Sequence, residues 1–309
     1  MNTEVCQMLT GKRILITGPT GQVARPLVAA LAPVNEVFTL ARFSKAEDRA
    51  SIEALGAHTI ATDLADGSLE QVPQDLDYVL NLAVVKSGDF DYDLRANAGG
   101  VGRLMLRTRG VKGFLHFSST AVYEYAGHEP RREDSPLGDN HRSMYPTYSI
   151  AKIAAETVAR FTASEFGIPT TIARLSVPYG NNGGWPWYHV MMMQHGVPIE
   201  LHPDRPNVYN PLHERDCLAK IPALLAAAST AGTVVNFGGS QAVSIEEWCA
   251  YLSELTGFQP VFKENPKGFG SLQIDTTKLH AIAGPTEVDW KDGIREMVQT
   301  LGPQLLKKA

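Results

Sequence analysis

The stretch RILITGPTGQVARPLVAALA, residues 13–32, restricts the fold more than any other part of the chain. RILIT (13–17) is a short apolar run of β type, and a glycine turn follows it. QVARPLVAALA (22–32) then reads as a helix, with Pro26 near its first turn, where a missing N–H costs little. The pattern repeats. EVFTLA (36–41), HTIAT (58–62), YVLNLA (78–83), FLHFSS (114–119) and TTIARL (170–175) predict further strands. Helices are expected over 46–55, about 94–109 and 146–166, the last with Pro146 at its start. Strands alternating with helices imply a parallel sheet covered on both faces, the doubly wound α/β (Rossmann) architecture.

After about residue 175 the text becomes rich in Gly, Pro and aromatics, and the later pieces are shorter. A helix near 215–228, a strand at 233–238, a helix at 244–255 and a last helix near 291–301 are predicted, the third with a Ser244/Glu247 capping box. This suggests a dinucleotide-binding domain of residues 1–175 plus about 206–240. A smaller α/β substrate region would comprise about 176–205 plus 241–309.

Composition excludes several classes of function. The net charge is −5 and no Lys/Arg-rich run stands out, which argues against nucleic acid as a partner. No stretch approaches the roughly 20 apolar residues of a membrane span. Cys6, Cys217 and Cys249 lie too far apart for a disulfide framework or a metal spacing, and the first ten residues lack the apolar core of a signal peptide. A reducing cytoplasm is the expected location. His189, His195 and His213 show no metal spacing either, so no metal is expected.

In ITGPTGQVA (16–24), Gly18 permits the tight turn and Gly21 lets backbone approach a pyrophosphate at a helix N-terminus. Ala24 stands where a third glycine is commoner. The second strand runs out as Leu40–Ala41–Arg42, without the acid that would bind ribose hydroxyls. A guanidinium suits a 2′-phosphate, so NADP(H) is expected, with NAD(H) the alternative; Asp63 is placed at the adenine edge.

FSSTAVY (117–123) ends an apolar strand with hydroxyls, and the carboxyl ends of such strands face the ligand crevice. Ser118, Ser119 and Thr120 are therefore expected to point into it. In YSIAK (148–152), Tyr148 and Lys152 lie one helical turn apart on one face. A free phenol, with a pKa near 10, is a poor base at neutral pH. A cation close by lowers that value. Lys152 would supply the cation and also hold the nicotinamide ribose, Tyr148 would carry the proton, and Ser119 would hydrogen-bond the substrate oxygen. Tyr145 lacks a lysine four residues on and is passed over.

With these residues in view, the chain resembles the extended short-chain dehydrogenase/reductase superfamily, in its NAD-dependent epimerase/dehydratase branch. TGPTGQVA, ATDL, LNLAVVK, FSSTAVY, YSIAK, ARLSVPYG, VVNFGGSQAVSIEEW and the late IDTTKLHAIAG…VDWKDGIREMV carry the match in the family's order. The resemblance implies that Gly18, Thr20, Gly21, Gln22 and Val23 line the pyrophosphate, and that Asp63 and Leu64 meet the adenine. Leu82, Ala83 and Lys86 would meet the middle of the cofactor, and Asn97 would sit beside the active site. Ser119, Tyr148 and Lys152 would be the catalytic three. It also implies a homodimer through the helices near 94–109 and 146–166.

The chain departs from that family at several points. Dehydratases of the branch carry an acid pair after the catalytic hydroxyl, and here Thr120–Ala121 follow Ser119. Val177 replaces a common Asn, and Tyr209, with Arg205 four residues earlier, stands where nucleotide-sugar enzymes place Arg. Both changes weaken a nucleoside-diphosphate handle, though Arg205 or Arg215 would compensate if turned inward. Thr120, Trp185, Trp187, Tyr188, Arg205 and Tyr209 are the candidate substrate residues, and Met191–Met193 could join an apolar wall. The first reading is an NADP-dependent carbonyl reductase or alcohol dehydrogenase. A nucleotide-sugar epimerase working through a transient keto intermediate is the alternative, and a non-catalytic NADP-binding redox sensor ranks third.

Overall fold

The computed structural model describes residues 9–307; Cys6 and most of the segment read against a signal peptide lie outside them. The first part runs β1 (Arg13–Thr17), α1 (Ala24–Leu31), β2 (Glu36–Ala41), α2 (Ala46–Glu53), β3 (His58–Ala61), β4 (Tyr78–Asn81), α3 (Phe90–Leu94), α4 (Gly100–Arg107), β5 (Gly113–Ser119), α5 (Tyr148–Phe166) and β6 (Thr170–Leu175). Then follow β7 (Pro178–Gly180), β8 (Gly183–Gly184), α6 (Trp185–Gln194), β9 (Ile199–Leu201), β10 (Val208–Tyr209), β11 (Leu212–His213) and α7 (Glu214–Ala226). The chain closes with β12 (Thr233–Phe237), β13 (Val243–Ser244), α8 (Ile245–Thr256), β14 (Phe262–Glu264), α9 (Thr277–Ala283) and α10 (Trp290–Leu301).

Seven strands make one parallel sheet in the order β12-β6-β5-β4-β1-β2-β3. Strand side chains alternate between faces, so Ile14 and Ile16 join one apolar layer and Leu15 joins the other. The layer behind Leu15 also takes Val79, Phe114 and Ile172 from β4, β5 and β6, all withdrawn from water. Each such side chain contributes about 1.5–3 kcal/mol by burial. This double cover is why these strands read as near-continuous apolar runs. The chain steps from β1 outward through β2 and β3, then returns to place β4 on the other side of β1. That reversal opens a crevice at the carboxyl ends of β1 and β4.

A third apolar cluster lies beyond the sheet. It packs Tyr123, Tyr179, Val190, Tyr209, Trp248, Leu252 and Met297 together, with Trp248 at its centre and fully buried. Short strand pairs frame it: β10 with β13, β11 with β7 and β8, and β14 with β9.

The helix expected from about residue 94 starts earlier, at Phe90, because Asp89 caps it by accepting the Tyr92 N–H. Between α3 and α4 the helix widens into a π stretch, Arg95–Gly99. α5 begins at Tyr148 with Thr147 at its N-cap, so Pro146 stands one residue before the cap and outside the first turn. The Ser244/Glu247 capping box is present at α8. The sequence does not mark α6 as an amphipathic helix. WPWYHVMMMQ is apolar on nearly every side, so it shows no amphipathic stripe, although Gly184 before it and Pro186 in its first turn are start signals.

Candidate active site

The glycine turn after β1 is built by backbone geometry. Gly18 adopts φ +66°, and its N–H donates to the Leu40 carbonyl at 2.9 Å. A Cβ at this position would stand 3.0 Å from the Ala83 Cα, so the turn closes against β4 only with glycine. Thr17 locks the same junction. Its hydroxyl donates to Asn81 at 2.7 Å and accepts the N–H groups of Leu82 and Ala83 at 3.0 and 2.9 Å. Gln22 ties the turn to the region beyond the sheet, donating to the Pro178 carbonyl at 2.9 Å.

Two connected hollows meet at Gly18 and Val84. The outer one, about 290 Å³, is bordered by Thr20, Arg42, Ser44, Lys45, Asp63, Leu64, Ala83 and Asn97. The inner cleft, about 490 Å³, is bordered by Gly18, Gly21, Gln22, Val23, Leu82, Lys86, Ser119, Thr120, Tyr148 and Lys152. Every residue expected to line a dinucleotide borders one hollow or the other. The groove fits such a cofactor, since the side-chain-free turn at Gly18 and Gly21 leaves its floor open to a pyrophosphate.

At the outer end Arg42 donates to the Tyr92 hydroxyl at 3.0 Å, and that hydroxyl donates to Asp63 at 2.7 Å. Burial pushes the Asp63 carboxyl up, but the Tyr92 hydroxyl, the Ala65 N–H and Arg42 together hold it below its ordinary value. Asn97, in the π stretch, holds the loop after β4 rather than presenting a free amide. It accepts from the Val85 N–H at 2.9 Å and donates to the Val85 and Asp93 carbonyls. Asp93, which the sequence did not single out, joins that loop to α5. Its carboxylate accepts from Ser87 and Gly88 and, at 2.6 Å, from the Thr147 hydroxyl at the α5 N-cap.

The inner cleft brings Ser119, Tyr148 and Lys152 together. Ser119 ends β5, and its hydroxyl accepts the Ala121 N–H at 3.1 Å. Ser118 borders the cleft but turns its hydroxyl away, donating to the buried Glu156 at 2.5 Å. The expectation that Ser118 offers a hydroxyl to the crevice is therefore corrected. Lys152 donates to the Phe117 carbonyl at 2.7 Å, and burial lowers its ammonium to about 8 against the opposing pull of Glu156. The expected acidification of Tyr148 by this lysine is not what the structure shows. Burial raises the phenol above its ordinary value, a hydrogen bond with Ser119 only partly opposes this, and Tyr145 adds to the rise.

Of the candidate substrate residues, Thr120, Trp185, Tyr188 and Tyr209 border the cleft. Trp187 instead packs into the cluster around Trp248, and its ring meets the Gly302 backbone. Arg205 lies at the surface, 3.8 Å from Glu264, and Arg215 pairs with Glu296 at 2.8 Å. Met193 is buried in the same outer cluster as Trp248, and Met191–Met193 do not border the cleft. The sequence reading missed His141, Met144, Phe269 and Leu272, which do. His141 stacks on Phe269 with centroids 4.1 Å apart and lies 5.9 Å from the Tyr148 ring. Lys86 sits 4.1 Å over the ring of Tyr145, the tyrosine passed over earlier.

Comparison with known proteins follows the same lines. A model of the NAD dependent epimerase/dehydratase family matches residues 14–239. A dTDP-4-dehydro-6-deoxy-D-allose reductase from Streptomyces sp is 24% identical over 298 residues, covering 88% of this chain and 90% of the relative. Among solved structures, UDP-glucuronic acid 4-epimerase from Bacillus cereus with UDP-glucuronic acid and NAD superposes with a TM-score of 0.79 at 20% identity, over 94% of this chain and 99% of that one. A dTDP-glucose 4,6-dehydratase from Streptomyces venezuelae with NAD bound gives 0.77 at 22% identity, over 93% and 96%.

Proposed function

The chain belongs to the NAD-dependent epimerase/dehydratase family, and from that premise we propose that it is an NADP-dependent carbonyl reductase or alcohol dehydrogenase. The observation that carries this reading is the meeting of Ser119, Tyr148 and Lys152 in a cleft continuous with the glycine-turn groove. A bound nicotinamide would exchange hydride with the substrate carbon. Gly18, Thr20, Gly21, Gln22 and Val23 hold the pyrophosphate, and Leu82, Ala83 and Lys86 hold the middle of the cofactor. Ser119 donates to the substrate oxygen, and Tyr148 gives that oxygen its proton. A phenol raised by burial stays protonated at neutral pH, which is the form reduction of a carbonyl needs. Lys152 keeps two N–H donors beyond the one given to Phe117, enough to hold the ribose.

The preference for NADP(H) rests on Arg42 bordering the outer hollow beside Ser44 and Lys45. Arg42→Ala is expected to weaken NADPH about tenfold to a hundredfold, the loss of a charge-assisted contact worth about 1.5–3 kcal/mol. NADH should change little. Titration of both cofactors decides this, and equal losses would remove the preference.

Nucleotide-sugar epimerisation is the second reading, favoured by the names of the similar proteins. A reductase consumes NADPH in step with its ketone, whereas an epimerase interconverts its substrate with no net change in reduced cofactor. Absorbance of NADPH set against product formed separates them. We place the protein in the cytoplasm; among the described residues no helix is long and apolar enough to cross a membrane. Its oligomer would be a homodimer through α4 and α5, where Leu106 and Phe161 stand exposed. Phe161→Glu is expected to give a monomer on size-exclusion chromatography, and an unchanged elution volume in both forms would argue against that face.

A further inference from the structure

We propose that the inner cleft takes an uncharged carbonyl compound with a flat, apolar, aryl-sized body, and not a nucleoside diphosphate sugar. The inference deepens the hydride-transfer reading above and rests on it.

A nucleoside diphosphate brings two phosphates, and an enzyme that grips one needs cations or free backbone donors facing them. Among the described residues no arginine borders this cleft. Of the arginines in the surrounding segments, Arg174 is buried against Glu156 and Arg215 pairs with Glu296 at 2.8 Å, while Arg205 and Arg142 lie at the surface near Glu264 and Asp139 and do not border the cleft. The ammonium groups at the cleft are Lys152, donating to the Phe117 carbonyl, and Lys86, lying over Tyr145. Both are also claimed by the cofactor in the reading above. α6 gives the cleft the side chains of Trp185 and Tyr188, and Pro186 in its first turn has no N–H to give.

What the cleft offers instead is a run of rings. Tyr209 and Trp185 stand 5.1 Å apart, Trp185 and Phe269 5.9 Å, and Phe269 and His141 4.1 Å at an interplanar angle of 25°. His141 in turn approaches Tyr148, the proposed proton donor. The rings pack against one another, so the series forms a continuous aromatic wall from the outer apolar cluster to the reacting phenol, a surface on which a flat apolar group can lie. The Tyr209 hydroxyl is already given to the Gly270 carbonyl at 2.7 Å, so this ring adds apolar surface rather than a free donor. Burial, with Lys86 adding to it, keeps the His141 imidazole neutral, down to about 4, so it brings no charge to pair with a phosphate. The whole volume, about 490 Å³, must take the nicotinamide half of the cofactor as well as the substrate.

The test is binding to the full chain saturated with NADP+, read by tryptophan fluorescence, with Trp185→Phe identifying the signal from the cleft. 1-Phenylethanol is expected to bind at least about tenfold more tightly than UDP or UDP-glucose. Phe269→Ala is expected to weaken it about tenfold and to leave NADP+ affinity unchanged. Saturable binding of UDP or UDP-glucose tighter than the aryl alcohol overturns the proposal, and so does binding of none of the three. Turnover separates the two readings. If UDP-glucose is oxidised with NADPH formed in step, the hydride-transfer reading stands and this inference falls; if it is interconverted with no net change in reduced cofactor, both fall to the epimerase reading. If 1-phenylethanol binds as expected and no ketone is ever reduced, the inference stands and the hydride-transfer reading falls.

Discussion

Replacing Tyr148 by Phe is expected to cut turnover about a thousandfold while cofactor affinity stays where it was. The substitution removes one hydroxyl and keeps the ring, so the contacts with His141 and Tyr145 at 5.9 and 6.2 Å survive. α5 is unaffected, since Thr147 and Asp93 fix its start without help from the phenol. What disappears is the acid that would protonate the substrate oxygen as hydride arrives. Ser119 can still donate to that oxygen, but its proton is far less acidic, so polarisation remains and net transfer fails. The effect should therefore fall on kcat and kcat/KM together, the mark of an interaction made in the transition state alone. Steady-state kinetics with a circular-dichroism check of folding measures this. Activity within tenfold of the parent would mean that another group, Tyr145 being the nearest phenol, carries the proton.

The sheet and the glycine turn were readable because their causes are local. Apolar runs bounded by glycine and followed by helical periodicity leave few alternatives, and β1 through β6 fall within a residue or two of the expected spans. The capping box at Ser244 was equally local. The substrate side was not local. His141 and Phe269 stack although 128 positions separate them, and neither sits in a periodic segment that would mark it as facing the cleft. The state of Tyr148 is not local either. Spacing put Lys152 on the same helical face, but the direction of its ammonium depends on the Phe117 carbonyl, which another strand supplies. Arg205 and Arg215 were open candidates in the sequence and turned out to be surface partners of Glu264 and Glu296, pairings set by the tertiary fold.

Glu156→Gln is expected to destabilise the fold by about 3–5 kcal/mol and also to move the alkaline limit of activity to lower pH. Glu156 lies one turn beyond Lys152 on α5, and both its side chain and that of Arg174 are 5% exposed. Arg174 reaches it at 2.7 Å from β6, and Ser118 at 2.5 Å from β5, so one carboxylate joins the helix to two strands. The amide keeps the shape but leaves the Arg174 charge buried, with the Glu133 carbonyl and the face of Tyr123 as its remaining neighbours. That uncompensated charge dominates the cost. Urea denaturation should show a lower midpoint at an unchanged slope. The pH effect follows from the sign of the interaction. Burial holds the Lys152 ammonium down at about 8, and Glu156 is the charge that keeps it from falling further. With the carboxylate gone, the ammonium is lost at lower pH, and with it the charge proposed to hold the ribose, so kcat/KM should decline from below about pH 8. Stability responds in the opposite sense. Between the folded value and the free-lysine value near 10.4 the unfolded chain binds more protons, so Lys152's contribution to stability rises with pH, and the variant widens that window downward. A pH–rate profile whose alkaline limb stays put, in a variant that still folds, would detach Lys152 from the reaction and leave Glu156 as a tether for α5 alone.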